Sequence, residues 1–246
     1  MSPRGKSGLK DKGLQPEICK LAKFMLALRI SATYTRVRSI IISHLASGEA
    51  KRRCPLPRPT TAISSPRDRI LHAATNLFYE EGVQVGVNRI IAQADVAPTT
   101  LYRHFGSKDK LVAAALKQWS TEWLRWLHDR IDRHGEEPEV CLAALWDALD
   151  QWFATEGFRG SFIANAATEL CGNPDHPGQA VIAEHRMALR RLLEDLAKSE
   201  DAQEPSRLAA ELQLLIDGAV AVAAMDHGGA VVADARALGN AAVRRR

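Results

Sequence analysis

From Ser65 onward, apolar residues recur at helical intervals, and no stretch keeps the two-residue alternation of a half-buried strand. This pattern predicts an all-α fold. Ile70, Leu71, Ala74, Leu77 and Phe78 fall at i, i+1, i+4, i+7 and i+8, one apolar face of a first helix. Ser65 is placed to cap it, Pro66 suits its first position, Asp68 adds a weak capping box and Gly82 stops it. A second short helix carries Ile90, Ile91 and Ala94. The turn Asp95-Val96-Ala97 follows, and Pro98 pre-sets a third helix, Thr99 to Phe105. Two short helices joined by a turn of about three or four residues form a helix-turn-helix, whose second member enters a major groove.

The third helix divides cleanly by chemistry. Leu101 and Phe105 are one turn apart, so they share a face and plug into the first two helices. The opposite face shows Thr99, Thr100, Tyr102, Arg103 and His104, short or planar groups able to reach phosphates and base edges. Lys108 opens the next helix, where its ammonium and the local backbone N–H groups favour a phosphate. A helical subdomain with a solvated polar face would show the same pattern, because a lone helix-turn-helix is a weak signal.

Helical periodicity continues to the end of the chain. One long helix runs from about Lys108 to Arg133 with Trp119, Trp123 and Trp126 inward. Further helices start at Pro138 and end near Gly157, run from Arg159 to Cys171, from Gly178 to Lys198, from Pro205 to about Met225, and from Val231 to Val243. The domains expected are a helix-turn-helix unit over 61–110 and a larger helical unit over 111–246.

The segment Thr100-Leu101-Tyr102-Arg103-His104-Phe105, with Ala94-Asp95-Val96 before it and Ser107-Lys108-Asp109-Lys110-Leu111 after it, resembles the DNA-binding domain of the TetR/AcrR family of transcriptional regulators. The resemblance implies DNA contacts from Thr99, Thr100, Tyr102 and His104, with a phosphate held by Lys108. Pro98 and Arg103 belong to the same surface. Asp95 stands where the family usually has glycine, and a turn needing positive φ tolerates Asp better than most residues. Val87-Asn88-Arg89 replaces a frequent threonine at the start of the second helix. There Asn88 is a candidate cap and Arg89 a candidate backbone contact.

The formal net charge of +4 conceals a strong asymmetry. Residues 1–60 hold 13 Lys/Arg against 3 Asp/Glu, residues 61–110 hold 6 against 5, and residues 111–246 hold 14 against 21. The helix-turn-helix unit is therefore nearly neutral, and its few cations must gather on one face to act on DNA. Residues 1–60 begin Gly/Lys/Arg/Ser-rich, could form a basic helix over 18–45, and end in the stiff linker Lys51 to Pro59. Three readings stay open for them: a phosphate-contacting arm, an inert disordered tail, or a stretch upstream of the natural start. Four cysteines (Cys19, Cys54, Cys141 and Cys171) show neither metal nor disulfide spacing, and a reducing cytoplasmic setting follows as the default. No uninterrupted apolar run reaches the roughly 18 residues of a membrane span, so no membrane partner is expected.

A helix-turn-helix reader usually works as a two-fold dimer. Leu208, Leu212, Leu215, Ile216, Ala219 and Ala223 make an apolar stripe on the penultimate helix, and Leu238 adds to it from the last. The resemblance implies a homodimer through these two helices, although the stripe also fits plain core. It further implies a cavity for a small apolar or aromatic inducer. The candidates are Trp119, Trp123, Trp126, Trp152, Phe162, Asn165, Glu169 and His185, against the reading that large aromatics merely fill the interior. The function expected is a repressor released from a palindromic double-stranded DNA operator by that inducer, with no cofactor or metal. A regulator without ligand sensing is one rival. An all-α enzyme using His176, His185, Glu169 or Cys171 is another, and it lacks any H-E-x-x-H, Ser-His-Asp or paired-Cys spacing.

Overall fold

The computed structural model describes residues 65–132, 138–200, 202–226 and 230–244. Residues 1–60, with the expected basic helix and arm, lie outside the described residues. The described chain forms α1 (Pro66–Glu81), α2 (Val87–Ala94), α3 (Pro98–Phe105), α4 (Lys108–Asp132), α5 (Pro138–Phe153), α6 (Phe162–Leu170), α7 (Gly178–Ser199), α8 (Pro205–Asp226) and α9 (Ala230–Arg244). No strand runs among the described residues, and the fold is all-α.

Local chemistry sets the boundaries of the first helices. Ser65 Oγ accepts from the Asp68 N–H at 3.1 Å and donates to its carboxylate at 2.7 Å. Gly82 ends α1 at φ 93° with its N–H on the Phe78 carbonyl. Asp95 ends α2 in the left-handed region (φ 49°, ψ 61°), the conformation the turn requires. The Arg69 guanidinium secures this corner by donating to the Ala94 and Asp95 carbonyls, each at 3.1 Å.

Two later boundaries differ from the sequence reading. The helix before Gly157 stops at Phe153, because the Trp152 carbonyl is taken by the backbone N–H and the hydroxyl of Thr155. α6 starts at Phe162 rather than Arg159, because Gly160 sits at φ 84° and Ser161 caps the helix through the Ala164 N–H.

α4 joins the two parts of the molecule. Its first turns pack against α1, and the rest runs between α5 and α7. α8 packs on α7 and α9, and α9 also meets α5. The buried residues of α1–α3 and of the larger bundle form one contiguous core. α8 is long and apolar enough on average to cross a membrane, with a mean hydropathy of 1.7. A search for uninterrupted runs misses it, because Arg207, Glu211 and Asp217 break the stretch. Its Leu208, Leu212, Ile216, Ala219 and Ala223 are buried inside this fold.

Candidate functional site

α3 owes its two faces to its spacing. Leu101 is fully buried against α1 and α2, and Phe105 keeps 7% of its surface. Arg67 lies over the Phe105 ring at 5.2 Å, closing that side. The opposite face presents Tyr102, 49% exposed, together with exposed Pro98, Thr99, Arg103 and His104. Thr100 is half-buried at its edge, as is Lys108 at the first position of α4. Ala97 provides no side-chain cap for α3. The start of the helix therefore offers backbone donors beside the Thr99 and Thr100 hydroxyls, and the same exposed face adds the Tyr102 phenol and, in the last turn, the Arg103 guanidinium and His104 imidazole, a set suited to phosphates and base edges.

The two candidates on α2 are placed differently. Gly86, not Asn88, holds the cap position, and no side chain bonds there. Asn88 is an exposed residue of the first turn. Arg89 is exposed but ion-paired with Glu81 across the α1–α2 turn, so a phosphate must compete with that carboxylate.

Polar contacts of three side chains, Glu169, Tyr79 and His176, tie this unit to the larger bundle. The Glu169 carboxylate on α6 accepts from the Val83 N–H at 2.9 Å, just past the end of α1. The Tyr79 hydroxyl donates to the Gly160 carbonyl at 3.3 Å and accepts from the Arg159 N–H at 2.9 Å. His176, buried in its turn, accepts from the Gly178 N–H and holds Nε2 3.5 Å from the Asp109 carboxylate, beside Lys108. Sequence reasoning missed Tyr79 and Asp109, whose partners lie far along the chain. Glu169, expected beside a ligand, has its carboxylate on the α1–α2 turn.

The aromatic residues expected around a ligand pack on one another. The Trp119 and Trp123 rings stack at 5.9 Å, and Trp152 and Phe162 close around them. Trp126 is half-buried under the Arg130 guanidinium at 5.1 Å. His185 lies against Trp119 and Trp123, with Nδ1 2.9 Å from Ser120 Oγ. Burial, aided by the neighbouring Arg186 charge, lowers its pKa to about 4 and keeps the imidazole neutral. Asn165 is exposed and donates to the Arg159 carbonyl.

A cavity of about 660 Å³ lies elsewhere, between α4, α5 and α7. Leu124, Ile131, Cys141, Ala188, Leu192 and Leu196 form its apolar lining, with Arg125, His128, Asp132, Asp195 and Ser199 around them. None of the eight predicted ligand residues lines it. The aromatics fill the interior by volume, while the hollow opens along the flank of α4 where smaller side chains face α7. Its signal in the sequence is the second apolar line Leu124 and Ile131, one heptad apart and off the tryptophan face.

Comparison with known proteins bears on what such an arrangement belongs to. The family model for bacterial regulatory proteins of the tetR family matches residues 70–115, which run from α1 into α4. The HTH-type transcriptional repressor Rv3405c of Mycobacterium tuberculosis is 36% identical over 107 residues, covering 39% of this chain and 53% of that protein. The regulator Mb3439c of Mycobacterium bovis matches to the same extent. The chain thus spans about half the length of the curated relatives it matches. The crystal structure of SCO4454, a TetR-family transcriptional regulator of Streptomyces coelicolor, is 28% identical and superposes with a TM-score of 0.67 over 73% of this chain and 95% of its own. A TetR-type regulator of Streptomyces avermitilis, 29% identical, gives 0.64 over 73% and 98%. The chain belongs to the TetR/AcrR family of transcriptional regulators.

In this TetR-type chain the stripe expected to meet a second copy turns inward. Leu208, Leu212, Ala219 and Ala223 are each at most 4% exposed and pack within the chain itself. Leu215 is half-buried. Of the predicted interface only Leu238 is open, at 54%. The outer face of α8 instead carries Leu214 and Met225, 74% and 70% exposed, with exposed Gly218 and Ala221 between them. α8 is apolar on two faces, an inner one packed within the chain and an outer one left open.

Proposed function

We propose that this chain is a DNA-binding transcriptional repressor that acts in the cytoplasm as a two-fold homodimer on a near-palindromic operator. The observation that carries the reading is the division of α3: Leu101 and Phe105 anchor it, while Thr99, Tyr102, Arg103 and His104 stand clear of the protein. Lys108 adds a cation at the start of α4. Repression is favoured by the similarity to the Mycobacterium tuberculosis repressor Rv3405c. The outer face of α8, with Leu238 of α9, offers the second copy an apolar surface with small residues for close helix approach. Residues 61–110 would act as the reader and residues 111–246 as the sensing and dimerising body.

Release would come from a small apolar ligand held in the body. The cavity beside α4 supports this reading, since about 300–1,000 Å³ is the usual range of small-molecule sites. α4 connects it to the reader, and the Glu169, Tyr79 and His176 contacts fix how α6 and its flanking turns sit on α1 and α4. A ligand shifts operator occupancy only as far as it prefers one arrangement of these contacts over another. A gel-shift of the promoter beside its own gene tests the function. A discrete complex at modest salt is expected, and failure to shift that DNA removes the repressor reading.

A further inference from the structure

The cavity beside α4 has an electrical asymmetry that bears on its ligand. Leu124 and Ile131 mark out about 10 Å of helix rise along it. α7 runs alongside in the same direction, since Lys117 pairs with Glu184 and Ser120 with His185. Arg125 therefore stands towards one end of the hollow, and Asp132 and Asp195 towards the other. Both carboxylates already have a partner, an imidazole for Asp132 and an ammonium for Asp195. Asp132 lies 3.0 Å from His128 Nδ1, and Asp195 accepts from Lys198 Nζ at 3.0 Å. Arg125 differs: it senses the Glu122 carboxylate through space, but that group is hydrogen-bonded to Gln118 and not to the guanidinium.

The geometry points to an apolar monocarboxylate as the ligand class of this cavity, its acid head on Arg125 and its body along Leu124, Leu192, Leu196 and Ile131. A carboxylate completes Arg125 without breaking an existing pair, and the planar guanidinium suits it as a two-pronged partner. An ammonium would have to displace the Lys198 ammonium from Asp195 or break the His128 contact on Asp132. A neutral alcohol gains the apolar burial and leaves Arg125 as it stands. This inference rests on the proposed reading of the body as a ligand sensor and names the chemistry it senses.

The test is calorimetric titration of the whole chain, without DNA, by decanoate, decanol and decyltrimethylammonium below their micellar concentrations. Decanoate should bind at least about fivefold tighter than decanol, the value of a charge-assisted contact at an exposed rim. Arg125→Gln should bring decanoate down to the affinity of decanol, and Arg125→Lys should restore part of the difference. Leu192→Trp, which fills the hollow, should abolish both. Equal or tighter binding of the ammonium overturns the inference, as does unchanged decanoate affinity in Arg125→Gln or no binding of decanoate at all. Operator release is measured separately. Decanoate that binds through Arg125 but leaves DNA occupancy unchanged overturns ligand-controlled release and upholds the ligand class.

Discussion

Acid should weaken this fold through one imidazole. His185 is buried against Trp119 and Trp123 and bonded to Ser120, and its pKa falls to about 4 from an ordinary value of 6.5. The unfolded chain therefore binds a proton that the folded chain refuses between those two values. Stability from this group is complete above the unfolded pKa and declines as the pH falls towards the folded one. From pH 7.5 to pH 5.0, with one pKa unit equal to 1.36 kcal/mol, the loss is about 2 kcal/mol. Urea unfolding of the wild type and of His185→Gln at both pH values, at fixed protein concentration, isolates the contribution. Glutamine preserves a polar partner for Ser120 but cannot titrate. The wild type should lose about 2 kcal/mol more than the variant on acidification. Equal losses would refute the reasoning and mean that the imidazole is protonated in the folded protein at little cost.

Other substitutions separate packing from surface chemistry. Leu101→Ala should cost about 2–5 kcal/mol in urea or thermal unfolding, because the side chain is fully buried. Gly239→Ala would place a methyl carbon 2.5 Å from Trp146 Cζ2, and a buried indole has no room to withdraw, so unfolding should be easier by about 1–3 kcal/mol. Asp95→Gly should stabilise the chain by up to about 1 kcal/mol through relief of the left-handed backbone, while Asp95→Val should destabilise it; melting temperatures decide both.

The reader unit was legible in the sequence because its signals are local. Ser65, Gly82, Asp95 and Pro98 each act on the backbone within a turn of themselves, so the caps and corners fall where their chemistry requires. Leu101 and Phe105 specify their buried face by spacing alone. The body was legible only as helices. α8 carries apolar residues on both sides, so periodicity shows two stripes and does not say which one a neighbouring helix covers. Spacing leaves the tryptophans between cavity lining and plain core, because large aromatics serve in both roles. Their stacking on one another, and the opening along Leu124 and Ile131, depend on how α7 lies against α4. Glu169 illustrates the same limit: its partner, the Val83 N–H, belongs to a turn far away along the chain.

The outward face of α3 is where the functional account is most exposed to experiment. A DNA-protection map of the promoter beside its own gene, made with wild type and with Tyr102→Ala, addresses it directly. The wild type should protect two symmetry-related halves of one short site, and Tyr102→Ala, still folded and dimeric, should protect them only at much higher concentration. Undiminished protection by the variant, or a bare promoter with the wild type at modest salt, would contradict the account.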